Sequence, residues 1–207
     1  MSSLSGRVQM TYFLGLTGGI ATGKSTADTI LREQGIPIID ADLIAHQLML
    51  PNEKNYEAIV NKFGKEILSL DQTIDRKKLG EIVFNDKMKL TLLNEITHPN
   101  IVAEIKRQMS KFRQDHAAIV VLDIPLLFEG KLENLCDGVL LISASEQIQM
   151  HRLMVRNNLS EKQAASRIAS QMSLIEKKNL ADYVIENNGS VAELRKKIAA
   201  VLTSLER

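Results

Sequence analysis

The sequence predicts a three-layer α/β sandwich, a five-stranded parallel sheet with helices on both faces. Three observations carry that reading. Short apolar runs of the buried-strand kind alternate with stretches of helical period, and strands separated by helices pair in parallel. The first run, Tyr12-Phe13-Leu14-Gly15-Leu16, leads into Thr17-Gly18-Gly19-Ile20-Ala21-Thr22-Gly23-Lys24-Ser25-Thr26, which reads G-x-x-x-x-G-K-S and precedes a helical stretch. Polar residues directly follow the later apolar runs, at the edge of an open α/β sheet where ligands sit.

The glycine-rich segment is a phosphate loop by its chemistry. Its glycines allow backbone angles closed to other residues, so successive N–H groups can turn inward around an anion. Lys24 adds a full positive charge, and Ser25 offers a hydroxyl to the magnesium that accompanies a nucleoside triphosphate. The helix predicted over 25–34, closed by Gly35, aims its positive end at the same phosphates. The nucleotide-binding set is therefore Gly18, Gly19, Ile20, Ala21, Thr22, Gly23, Lys24, Ser25 and Thr26. A glycine-rich turn that binds nothing is the bland alternative; the strand before it and the helix after it count against that.

The second strand, within 35–39, ends in Asp40-Ala41-Asp42. One of these carboxylates can cap the helix predicted over 43–50 while the other does chemistry. Residues 53–114 hold no convincing buried strand. Tyr56, Ile59, Val60 and Phe63, then Leu92, Leu93 and Ile96, then Ile101, Val102, Ile105, Met109 and Phe112 recur at helical spacing, and Pro99 suits the first turn of the last helix. Between these stripes, 71–76 has turn character, with Arg76 either an anion ligand or a surface charge. The segment is long enough for a helical subdomain that covers a substrate.

Residues 117–122 form the clearest buried strand, followed by Asp123, which either holds magnesium through water or caps a strand end. Pro125-Leu126-Leu127-Phe128-Glu129 makes a rigid apolar loop that lines a pocket or covers the sheet. Strand four spans 138–142. From Ser145 a helix carries Gln149, Arg152 and Arg156; the two arginines, four apart, share a face, as a lid over ATP requires and as many exposed helices also show. Ser160 with Gln163 and Ser190 with Glu193 fit capping boxes. The fifth strand is 183–185, and Asn187-Asn188-Gly189 after it is a turn placed to meet an adenine base.

The 207 residues suit one domain, or one domain with an inserted lid, and 44% hydrophobic with 25% charged residues is ordinary for a globular chain. A net charge of +1 gives no support to nucleic-acid binding, and Lys77-Lys78, Lys177-Lys178 and Lys196-Lys197 read as solvated helix faces. Cys136 is the only cysteine, which excludes an internal disulfide and a cysteine zinc cage and fits a reducing compartment. No apolar run approaches the ~18 residues of a membrane span. Residues 1–10 read as a flexible tail without the apolar segment of a secretory signal, so the expectation is a cytoplasmic protein with no membrane partner.

These features together make a P-loop NTPase sandwich, a fold that serves kinases, GTPases and motors. A guanine-reading Asn-Lys-x-Asp is broken at its last position in Asn61-Lys62-Phe63-Gly64. From about Thr11 to near the C-terminus the chain resembles the dephospho-CoA kinase family. The resemblance rests on Leu16-Thr17-Gly18-Gly19-Ile20, Asp40-Ala41-Asp42, Ile74-Asp75-Arg76 with Leu79, Leu93-Asn94 ahead of His98-Pro99, the loop 125–129, Gln149 with Arg152 and Arg156, and Ala181-Asp182 with Asn187-Asn188-Gly189. Ala21, where the family usually has glycine, and Asp123, where it requires no acid, depart from the pattern.

The resemblance implies a single kinase domain over 11–207, with a helical CoA subdomain at about 53–114 and a lid at about 145–175. It implies ATP and Mg2+ as cofactors, dephospho-CoA as the small-molecule substrate, and a monomer or weak homo-oligomer. Asp42 matches the family's base and can touch magnesium, as can Ser25; Lys24, Arg152 and Arg156 would act on the transferred phosphoryl group. Asn187 would meet the nucleotide. Thr17, Arg76, His98, Pro125 and Leu127 would belong to the acceptor side, though His98 can equally serve to fix the helix expected to start at Pro99. A nucleoside or nucleotide kinase and a non-catalytic ATP-binding protein are the alternatives.

Overall fold

A computed structural model describes residues 10–205; apart from Met10, the tail expected over 1–10 lies outside the described residues. Among the described residues the five strands are β1 (Tyr12–Gly18), β2 (Ile38–Asp40), β3 (Ile119–Asp123), β4 (Gly138–Ser143) and β5 (Tyr183–Glu186). They form one sheet in the order β2-β3-β1-β4-β5. β1 runs parallel to both neighbours, with Tyr12 opposite Ile119 and Leu14 opposite Gly138, and β4 runs parallel to β5 with Leu140 opposite Tyr183. Central parallel strands are covered on both faces, and Phe13, Leu14 and Leu16 are accordingly without exposed surface.

The described residues fall into two compact units, residues 40–111 and the other described residues. In the sheet unit, α1 (Lys24–Glu33) follows β1 and closes in a left-handed cap at Gly35, where the Gly35 N–H donates to Arg32 and the Ile36 N–H to Leu31. These two bonds satisfy the helix's last carbonyls, and the αL geometry calls for glycine. Ala27, Ile30 and Leu31 of α1 pack with Leu194, Ile198 and Leu202 of α9 (Val191–Leu205) on β1, β3, β4 and β5. The unit also holds α6 (Glu146–Asn157), α7 (Glu161–Ala169) and α8 (Leu174–Leu180). Ser145, Ser160 and Ser173 cap these three helices, the last two in capping boxes; only the Ser160 box was legible beforehand. Ser190 Oγ accepts the Glu193 N–H at the head of α9.

A Cβ at Gly15 would lie 2.7 Å from the Cys136 sulfur, so strand and loop can approach only with glycine there. Burial, helped by the carboxylates of Asp137, Glu133 and Asp182, pushes the Cys136 thiol up to about 12, which leaves it a packing residue and not a nucleophile.

In the helical unit, α2 (Ala41–Gln47), α3 (Tyr56–Phe63) and α4 (Arg76–Phe84) lead into α5 (Lys87–Gln114), whose last residues belong to the sheet unit. Ile59, Phe63, Ile67, Ile74, Leu79 and Val83 form its core, with Leu92, Leu93 and Ile96 packed against them. The turn at 71–76 is a tight reversal: the Ser69 N–H donates to Thr73, Leu68 bridges Ile74 antiparallel, and Gln72 has φ 66°.

Two expectations are corrected. No helix starts at Pro99, because α5 runs through it without a break. Proline removes one N–H bond and crowds the preceding turn, at a cost of roughly 3 kcal/mol. Packing on both sides outweighs that: Leu92, Leu93 and Ile96 before it pack on the core of the helical unit, and Ile105 and Met109 after it are buried. Thr97 bonds the Leu93 carbonyl through its hydroxyl at 2.9 Å. The Lys177-Lys178 pair is not a solvated face either. Lys178 is half-buried and paired with Glu186, whereas Lys177 is fully buried. No helix among the described residues is long and apolar enough to cross a membrane.

Candidate active site

β1 delivers the phosphate loop at its carboxyl end, and Gly23 turns it into α1 with φ 98°. A Cβ there would collide with the Asn187 amide, so glycine is required by angle and by space. The head of α1 has neither a side-chain cap nor an acidic residue in its first turn. Such a helix head suits an anion chemically, because the helix dipole places partial positive charge there. Ala21 holds φ 60°, a left-handed angle that costs a non-glycine residue about 1 kcal/mol.

Lys24 Nζ donates to Asp123 Oδ1 at 2.5 Å, and the carboxylate is 5% exposed. Asp123 at the end of β3 is thus the partner of the loop's lysine, a use the sequence did not disclose. Ser25 is exposed beside Lys24, and Thr26 follows within α1.

Side chains hold the loop from two helices, a turn, a strand end and the loop itself. The buried Thr22 hydroxyl donates to the Gly19 carbonyl at 2.9 Å. Asn187, just past β5, donates through Nδ2 to the Thr22 carbonyl at 2.9 Å, and Arg152 Nη1 donates to the Asn187 carbonyl at 3.0 Å and, more weakly, to Thr22 at 3.4 Å. Gln149 Nε2 donates to the Ile20 carbonyl at 2.7 Å, while the Ile20 N–H donates to Gln171 Oε1 at 2.8 Å. Lys177 Nζ reaches the Gly18 carbonyl at 3.4 Å.

The structure therefore brings Lys24, Arg152 and Asn187 to the loop. It leaves Arg156 exposed, its Nε donating to Asn157 Oδ1 at 2.9 Å. Four residues apart on a helix is one face in projection, yet the second arginine lies a turn further on. Thr17 is buried, with its hydroxyl donating to the Pro125 carbonyl at 3.0 Å, and Leu127 is fully buried beside Gly15. Of the two readings of the 125–129 loop, covering the sheet describes Leu127.

In the helical unit, Asp40 is the N-cap of α2, accepting the Leu43 N–H at 2.9 Å. Asp42 stands in that helix's first turn as an exposed side chain. Asp75 caps α4 by accepting the Lys77 and Lys78 N–H groups, which puts Arg76 at the first helical position, exposed. His98 is exposed midway along α5.

Gln171, Lys177 and Glu129 escaped notice as individual contributors to the loop. Gln171 sits in no motif, and a lysine pair in a helical stretch reads as surface.

The model of the dephospho-CoA kinase family matches residues 12–193. A dephospho-CoA kinase of Lactobacillus johnsonii is 54% identical over 198 residues, which is 96% of this chain and 100% of that protein. Among solved structures, a dephospho-CoA kinase from Campylobacter jejuni matches with TM-score 0.66 at 36% identity, covering 95% of this chain and 98% of that one. A crystal structure from Thermus thermophilus matches with TM-score 0.80 at 33% identity and the same coverage, 95% and 98%.

Proposed function

The chain belongs to the dephospho-CoA kinase family, and from that premise we propose how its residues carry out the ATP-dependent phosphorylation of dephospho-CoA in coenzyme A synthesis. In this reading the acceptor is the ribose 3′-hydroxyl. Asp42 orients it and accepts its proton as the 3′-oxygen bonds to the γ-phosphorus and the bond to the β,γ-bridging oxygen breaks, with ADP leaving. Little covalent chemistry falls to the protein, whose task is positioning and charge.

The observation that carries the reading is the head of α1, uncapped, free of acidic residues and turned by Gly23. Its N–H groups and Lys24 face the β- and γ-phosphates, so the ammonium is shared between them and Asp123. Arg152 stabilises charge on the transferred group, and Arg156 joins it when the segment 145–175 closes as a lid. Arg76, His98 and Pro125 serve the acceptor, with Thr17 and Leu127 shaping the wall behind Pro125. Asn187 lies at the nucleotide through its hold on Thr22.

Magnesium fits the residues present. The exposed Ser25 hydroxyl and the exposed Asp42 carboxylate are each a hard oxygen donor of the kind this ion takes in ones or twos from a protein, the rest of its shell being phosphates and waters. When bound, it would offset charge on the phosphate oxygens. The protein acts in the cytoplasm, as a monomer or weak homo-oligomer, without membrane or nucleic acid.

The test is ADP release from Mg-ATP with dephospho-CoA, set beside adenosine, AMP and shikimate, for wild type and Asp42→Asn. Turnover with dephospho-CoA alone, lost in the variant, is the expected result. Preference for another acceptor would reassign the acceptor residues, and a near-normal variant would remove Asp42 as base.

A further inference from the structure

The first half of the phosphate loop is gripped from one side by a segment that no chemistry above has used. Ile20 is held through its carbonyl by Gln149 and through its N–H by Gln171, at 2.7 and 2.8 Å. Gln171 lies in the turn between α7 and α8. One turn into α8, Lys177 is 0% exposed, with its ammonium 3.4 Å from the Gly18 carbonyl and 2.8 Å from Glu129 Oε1. The same Glu129 oxygen accepts the Met172 N–H at 3.1 Å, while its other oxygen is buried without a hydrogen bond. Leu174 closes the side: a Cβ on Gly19 would lie 3.1 Å from its methyl and 2.8 Å from the Gln149 amide.

A buried ion pair adds little net stability over an apolar pair of the same size, because desolvation offsets the attraction. What it supplies is a fixed position. Here the fixed group is the carbonyl of Gly18, the first residue of the loop, and Gln171 fixes the third. With the Ile20 N–H committed to Gln171 and the Thr22 N–H to the Gly19 carbonyl, the direction of the loop's other N–H groups depends on where its first three residues are held.

We propose that Gln171 and Lys177 are positioning residues for phosphoryl transfer, holding the first half of the phosphate loop in its phosphate-receiving shape, with Glu129 locking Lys177. The proposal rests on the kinase reading above. Neither residue touches a reactant; both act through the loop backbone. The same segment joins the arginine-bearing α6 and α7 to α8, so movement of that segment on closure would be felt at Ile20 directly.

The test compares Gln171→Ala, Lys177→Met, Lys177→Arg and the double variant Lys177→Met/Glu129→Gln. Each is measured for affinity toward a fluorescent ATP analogue without acceptor, for kcat and KM(ATP) with dephospho-CoA, and for Tm. Gln171→Ala should weaken nucleotide affinity about ten-fold, the order expected when one hydrogen bond is lost and its donor left unpaired. Lys177→Met should weaken it at least as much, and Lys177→Arg should recover most of the loss because it keeps charge and donors. The double variant carries no uncompensated carboxylate, so it should fold while still binding nucleotide weakly. Normal affinity and kcat with only a lowered Tm would overturn the proposal, as would an arginine variant no better than the methionine one. Absence of dephospho-CoA-dependent turnover in wild type would instead sink the kinase reading, while the affinity ratios would still decide the positioning role.

Discussion

In the phosphate loop, the carbonyls of Gly18, Gly19, Ile20 and Thr22 each accept a side-chain hydrogen bond, from Lys177, Thr22, Gln149 and Asn187 in turn. In the helical unit, Asp42, Arg76 and His98 are exposed, and the caps beside the first two come from their neighbours Asp40 and Asp75. The nucleotide side is organised by side-chain bonds to the loop backbone, and the residues proposed for the acceptor stand on the surface of the helices that carry them. Substitutions in the loop should therefore disturb stability and function together, and substitutions at the exposed residues should disturb function alone.

The sharpest form of that contrast is Asp42→Asn. Loss of a general base typically costs ~10²–10⁴ in rate, and kcat should fall within that range. Asp40, not Asp42, caps α2, so Tm should stay within about 1 °C. A large drop in Tm would mean that Asp42 also holds the helical unit together, and the contrast would fail there.

Next in size, Lys24→Ala should lower kcat/KM for ATP by ~10²–10³, the loss typical when one group stabilising transition-state charge is removed. It should also lower stability, because Asp123, which loses this partner, is only 5% exposed. Thermal melting and nucleotide titration of one preparation would check both. Full activity would dismiss the loop as the ATP site, and unchanged melting would mean that Asp123 is satisfied without the lysine.

Asn187→Ala comes third. It removes the donor to the Thr22 carbonyl and should weaken ATP binding about ten-fold, with about 1 kcal/mol of stability lost. An effect on ATP discrimination against GTP, with loop geometry preserved, would shift Asn187 from brace to base reader.

The contrast also explains what could be read in advance. Strands β1, β3 and β4 announced themselves because buried parallel strands are continuous apolar runs, and the loop because its glycines recur at fixed spacing. The fate of Pro99 was hidden, since local sequence records the cost of proline in a helix but not the packing on either side that exceeds it. Lys177 was hidden for a related reason: its partners Glu129 and Gly18 are far away in sequence, and only the fold brings them together. For Asp40 and Asp42 the residue types allowed one to cap and the other to do chemistry, and telling which one caps needed the Leu43 N–H.

The smallest expected effect tests how much of the loop's shape is its own. Ala21 sits at φ 60°. Ala21→Gly should relieve about 1 kcal/mol of left-handed strain, part of which is returned as extra freedom of the unfolded chain. The net gain should raise Tm by about 2 °C in a chain of this size. If the side-chain grip sets the loop, ATP affinity should change less than two-fold, because the bonds to Gly18, Ile20 and Thr22 do not involve Ala21. A clear fall in affinity with higher Tm would mean instead that the strained alanine itself restricts the loop, and that the bonds around it only follow its shape.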